Sequence, residues 1–170
     1  MDRAVAAPTL AAVALGSNLG DRQAALDFAI ERLSGLLSNL TVSNVIETEP
    51  VDEHATVVVE QPLFLNAVAT GFTTLAPRDL LDALLAIEAD HGRERPYAGA
   101  PRTLDLDLIL LGDVVTAPTD APRLQVPHPR FRDRFFVLGP LAEIAPDMRD
   151  PVSGQTAAGL LRSLLRNESR

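Results

Sequence analysis

The sequence predicts an α+β fold, a single ferredoxin-like sandwich of order β-α-β-β-α-β with additions at its C-terminal end. Three observations carry this. The chain is 170 residues long, about one domain's worth. Apolar stretches with the strand period of two alternate with stretches of helical spacing. Turn signals such as Gly16-Ser17-Asn18 and Gly92 fall between them, leaving four strands and two helices in that order. The whole of 1–170 is read as one domain.

The elements follow in order. Leu10 to Leu15 is a short apolar run stopped by Gly16-Ser17-Asn18 and predicts a buried strand. From Asp21 a helix is expected, with Leu26, Phe28, Ile30, Leu33 and Leu37 as its apolar stripe. Thr41 to Thr48 alternates and is rich in β-branched residues, the pattern of a second strand. Phe64 to Thr73 predicts a third. Pro77 opens a helix whose buried face is Leu80, Leu81, Leu84 and Ile87, and Gly92 stops it. After a loop rich in Arg, Pro and Gly, Thr103 to Leu111 predicts the fourth strand, alternating at first and then wholly apolar. The last sixty residues predict turns, a short strand pair and a final helix near Gln155 to Arg166.

Composition narrows the chemistry. A hydrophobic fraction of 46% and a charged fraction of 22% are those of an ordinary globular protein. The absence of cysteine excludes disulfides, thiolate nucleophiles and cysteine metal sites. All 15 basic residues are arginine, which excludes a P-loop lysine and a Schiff base. Any phosphate must then be held by Arg, His, backbone amides or a metal. A net charge of −8 argues against a nucleic-acid-binding face. The start of the chain shows no targeting signal, and its Leu10–Leu15 run is too short to span a bilayer. The expectation is a cytoplasmic monomer with neither membrane nor nucleic-acid partners.

The strongest local signal is Leu104-Asp-Leu-Asp-Leu108. Side chains alternate across a strand, so the leucines face a core and Asp105 and Asp107 share the other face. With no lysine to balance them, a divalent cation such as Mg²⁺ is the natural partner. An isolated Asp-x-Asp is more often a solvated strand face. Here, however, seven of the arginines lie between Glu88 and Arg134, and acidic metal ligands among arginine forks are the equipment of phosphoryl transfer. His128 lies between Pro127 and Pro129, with Arg123 and Arg134 near in sequence. Asn66 carries the paired donor and acceptor that read a planar heterocycle. Phe64, Phe135 and Phe136, read as strand residues, are core candidates.

Several separated segments resemble one family. Gly92-Arg-Glu-Arg95 and Ala100-Pro-Arg-Thr-Leu-Asp-Leu-Asp107 resemble the signature of the 6-hydroxymethyl-7,8-dihydropterin pyrophosphokinases. Ala14 to Asp21 resembles the family's first strand and turn, and Glu47-Thr-Glu-Pro50 its pterin loop. Gln61 to Ala67, Val126-Pro-His-Pro129 and Phe136 to Pro146 also match, in the same order. The resemblance implies a ferredoxin-like fold and Mg²⁺-dependent transfer of pyrophosphate from ATP to the pterin's 6-hydroxymethyl oxygen, releasing AMP. By position, it implies that Asp105 and Asp107 bind two Mg²⁺ ions and that Arg93 and Arg102 close on the phosphates from a loop. Glu88, Arg95, Leu108, Arg123, His128 and Arg134 would serve ATP. Thr48, Glu49, Pro50 and Val51 would offer backbone to the pterin, Phe64 and Phe136 would sandwich it, and Asn66 would bond its edge.

Two positions depart from the pattern. Where many members have Trp-Gly-Pro-Arg, this chain has Gly99-Ala-Pro-Arg102, and Asp52 to Glu60 is longer than usual, enough for an extra strand or a different substrate loop. A non-catalytic ligand-binding module and a Mg²⁺-dependent phosphohydrolase are the alternatives.

Overall fold

In the computed structural model, residues 7–50, 61–92, 103–117 and 124–170 are described. The predicted order is present: β1 (Thr9–Ser17), α1 (Arg22–Ser34), β2 (Ser38–Val42), β3 (Ile46–Thr48), β4 (Phe64–Thr73), α2 (Pro77–Asp90) and β5 (Asp105–Leu111). A 3-10 turn (Phe131–Asp133), α3 (Phe135–Ile144) and α4 (Ala157–Glu168) follow. The sheet runs β2-β4-β1-β5, all antiparallel, with β3 beside β2 on the outer edge of β4.

Local chemistry sets the boundaries. The Asp21 carboxylate accepts from Ala24 N at 3.0 Å and caps α1. Pro77 starts α2, where its missing N–H is not needed. Gly92 leaves the helix at φ +82°, a conformation that favours glycine. Leu37 of the expected α1 stripe lies past the helix end yet is buried in the core.

The expected single strand over Thr41–Thr48 is two strands, β2 and β3, broken at Ser43-Asn44-Val45. Ser43 explains the break. Its N–H donates to Val68 O at 2.9 Å, but Val68 N donates to Ser43 Oγ at 2.9 Å, so a side chain replaces the backbone carbonyl in the ladder. Asn44 N, turned off the sheet, donates to the Glu143 carboxylate at 3.2 Å.

Both faces of the sheet are covered. Ala11, Val13 and Leu15 of β1 pack with α1 and α2, as do Leu106 and Leu108 of β5. Ala12, Val68, Ile109 and Leu110 pack with α3 and α4 on the opposite face. The wholly apolar end of β5 has a specific cause. The β1–β5 register shifts between Ala12 and Val13, so Ile109 and Leu110 both join the α3–α4 core before Leu111 returns to the other.

Helix α3 is absent from the sequence reading. Phe135 and Phe136 open this helix and do not lie in a strand. Gly139-Pro140 suggests a turn, and Pro140 removes one rung of the helical ladder. Burial of Val137, Leu138 and Leu141 keeps the helix in place. The expected strand pair near the C-terminus is a single bridge, Arg149 to Thr156.

That bridge sits on a buried ion pair. Asp150, fully buried, accepts from Arg132 Nε at 2.6 Å and Nη2 at 2.9 Å, and from Ser153 Oγ and Val152 N. Burial pushes the Asp150 carboxyl up, but these bonds, Arg132 first, outweigh it and lower it from 3.8 to about 2. The folded value lies below that of the unfolded chain. The resulting stability, about 2 kcal/mol, is therefore present in full from about pH 5 upward and is lost as pH falls through the ordinary carboxylate range toward 2. Asp150→Asn should cost about 2–3 kcal/mol at neutral pH. Urea melts of both proteins at pH 7 and pH 3 test this: the gap must narrow at pH 3.

Among the described residues no helix is long and apolar enough to cross a membrane.

Candidate active site

The α3–α4 layer covers only part of its face of the sheet. The rest is shared by β5, β1, β4 and β3. Asp105 pairs with Gly16, Gly16 with Asn66, and Asn66 with Ile46, forming one row across four strands. The next row holds Asp107, Ala14 and Val68. Because side chains alternate, Asp105, Asp107, Asn66 and Phe64 share this face. Two strand spacings separate Asp105 from Asn66, roughly 10 Å. The expected acidic pair and the expected heterocycle reader, 39 residues apart in sequence, are thus neighbours across a single strand.

Asp105 and Asp107 are half-buried while Leu104, Leu106 and Leu108 are buried in the core, which is the division the alternation predicts. Leu108 accordingly lies beneath the acidic pair. Glu88 is 1% exposed, and its Oε1 accepts from Leu106 N at 2.7 Å. Helix α2 thereby holds the edge strand by the amide between the two aspartates.

His128 lies within electrostatic reach of Asp105. Its backbone N–H donates to Ile109 O at 2.9 Å, which ties the segment to β5. Its Nδ1 accepts from Arg130 N at 3.1 Å, so in the neutral ring the proton sits on Nε2. Burial, then the positive charge of Arg134 and more weakly of Arg130, lowers its pKa from 6.5 to about 4, against an opposing pull from Asp105. At neutral pH it is an uncharged donor next to a carboxylate and a guanidinium. Arg134 in turn lies over the Phe136 ring, 5.5 Å from its centroid.

On the other side, Asn66 Nδ2 donates to Thr48 Oγ1 at 2.6 Å, linking β4 to the end of β3. Thr48 is half-buried, Glu49 exposed and Pro50 buried. Two further groups, not singled out in the sequence, frame this corner. Asn18, fully buried, donates to Gln61 Oε1 at 3.1 Å and Pro62 O at 3.3 Å. Arg22 donates to Glu47 at 2.9 Å and Leu63 O at 2.8 Å. Asn18 thus ties the β1–α1 turn, and Arg22 the start of α1, to the residues just before β4, and Arg22 also holds β3. Their signal was the polar run after a strand, which reads simply as a turn. Val51, Arg93, Arg95, Arg102 and Arg123 lie outside the described residues, as does the longer 52–60 stretch. Within them, no group of three or more His, Asp or Glu side chains forms a closed metal cage.

The model of the 7,8-dihydro-6-hydroxymethylpterin-pyrophosphokinase family matches residues 12–146. The chain is 48% identical over 143 residues to the 2-amino-4-hydroxy-6-hydroxymethyldihydropteridine pyrophosphokinase of Pseudomonas aeruginosa, covering 82% of each. It is 37% identical over 150 residues to the Bacillus subtilis protein of that name, covering 86% of this chain and 85% of that one. Among solved structures, the Plasmodium falciparum HPPK-DHPS A437G/K540E protein with pterin and p-hydroxybenzoate superposes with a TM-score of 0.74 at 14% identity, a likeness of fold. It covers 99% of this chain, which spans 46% of that longer one. With both the family model and the relatives spanning most of its length, the chain belongs to the 7,8-dihydro-6-hydroxymethylpterin-pyrophosphokinase family.

Proposed function

We propose that the row Asp105–Gly16–Asn66 is where this chain brings the two substrates of its family's reaction together. That reaction transfers pyrophosphate from ATP to the 6-hydroxymethyl group of 6-hydroxymethyl-7,8-dihydropterin, giving AMP and the pterin diphosphate, a step of folate biosynthesis. The hydroxymethyl oxygen bonds to the β-phosphorus, the bridge between α- and β-phosphates breaks, AMP leaves, and the hydroxyl proton passes to a carboxylate or to water.

The residues present fit Mg²⁺. Two half-buried carboxylates on one strand face suit a hard cation that completes its shell with phosphate oxygens and water. Asp105 and Asp107 would hold two such ions, which when bound supply positive charge to the phosphates. The protein's own groups do the rest. Neutral His128 donates to phosphate from Nε2, and Arg134 adds a charged fork. Arg93, Arg95, Arg102 and Arg123 complete the phosphate contacts, Arg93 and Arg102 as the closing pair. Asn66 bonds the pterin edge, Phe64 and Phe136 flank its ring, and Thr48 to Val51 offer backbone. Glu88 and Leu108 support this ATP side through β5.

The observation that carries the reading is the shared row, which sets the acidic pair and Asn66 on opposite sides of one strand. AMP formation from ATP tests it, with and without the pterin and with Mg²⁺ removed by EDTA. AMP should form only when pterin and Mg²⁺ are both present. Phosphate release without pterin would indicate a phosphohydrolase, and ligand binding without turnover a binding module.

A further inference from the structure

We infer that Gly16 is a positioning residue for pterin recognition, present because it lacks a side chain. Glycine inside a strand is unfavourable and often marks a close approach. Unlike Gly20, Gly92, Gly112 and Gly154, Gly16 is not in the left-handed region, so backbone freedom does not explain it. Its neighbours do. A Cβ there would meet Asn66 Oδ1 at 3.3 Å and the Phe64 ring at 3.6 Å. The Phe64 ring is at ordinary van der Waals distance, but the Asn66 oxygen is closer than a methyl group normally tolerates, so the amide is what must give.

Asn66 also cannot step back. Its amide is held from the other side by Thr48 Oγ1 at 2.6 Å, so a shift of a few tenths of an ångström away from β1 compresses or breaks that bond. A methyl group at position 16 therefore displaces the amide that reads the heterocycle. The Asp105 and Asp107 carboxylates, on the other neighbouring strand, keep their places. This rests on the placement of the pterin at Asn66.

Calorimetry on Gly16→Ala tests it, titrating 6-hydroxymethyl-7,8-dihydropterin into protein saturated with Mg²⁺ and α,β-methylene ATP, which cannot transfer. Pterin affinity should fall about tenfold or more, the scale of one misplaced polar contact. Affinity for the Mg²⁺–nucleotide should fall much less than pterin affinity and the far-UV circular dichroism should be unchanged, since the three atoms nearest an added methyl belong to Asn66, Phe64 and Leu65 and none to Asp105. In an Asn66→Ala background, the same change should cost little further pterin affinity. Unaltered pterin affinity in Gly16→Ala would overturn the inference. So would a full tenfold loss in the Asn66→Ala background, because the methyl would then obstruct the ligand itself. If Asn66→Ala alone leaves pterin affinity unchanged, the placement of the pterin falls, and the inference with it.

Discussion

Asp105→Ala will lower pyrophosphoryl transfer by about a thousandfold or more and leave the fold intact. Loss of one preorganised electrostatic group costs about 10²–10³ in rate, and a carboxylate that holds a cation on the transferring phosphates does at least as much. The fold survives because the core partners in and just before β5 are Leu104, Leu106 and Leu108, on the opposite face and almost fully buried. Asp107→Ala should behave alike, since the two carboxylates share one face two residues apart. Thermal melting within a few degrees of the parent, together with AMP formation under saturating ATP and pterin, checks both halves. Turnover above about one per cent of the parent's in Asp105→Ala would contradict its role as a metal-holding carboxylate.

Glu88→Ala will damage stability and rate together, and Glu88→Gln will recover much of both. The Glu88 carboxylate is 1% exposed and accepts from Leu106 N at 2.7 Å. Alanine leaves that buried N–H on the edge strand without its acceptor, a cost of about 1–3 kcal/mol. The same amide lies between Asp105 and Asp107, so its loosening spreads to both, with an expected fall in kcat of about tenfold or more. Glutamine keeps an acceptor oxygen at the same reach. A direct charge role toward nucleotide would give the opposite pattern, with Gln as deficient as Ala. Comparing urea midpoints, kcat and the ATP dissociation constant for the two variants separates a group acting through the strand from one acting on ATP.

The site was legible in part. The alternation of Leu104 to Leu108 by itself puts the two carboxylates on one face, and the structure keeps them there. The order of strands and helices along the chain, apart from the split of one strand, and the helix starts at Asp21 and Pro77 were legible for the same reason: period, caps and turn residues are local properties. Helix α3 was not, because Gly139-Pro140 argues locally against a helix that burial of Val137, Leu138 and Leu141 sustains. Nor was the break at Ser43, which depends on a hydroxyl taking a carbonyl's place opposite Val68.

By itself, then, the amino-acid order determined which residues could do chemistry and which face of its own strand each occupies. Those facts need only a residue and its near neighbours along the chain. Register decided the rest. Only the pairing of β5 with β1 and of β1 with β4 sets Asp105 and Asn66 on either side of Gly16, and only that pairing puts the Asn66 amide oxygen against the glycine. Register is a contest among distant segments, settled by how whole faces bury against α1, α2, α3 and α4. A slip of one residue would turn Asp105 into the core, and burial of the leucines is what forbids it.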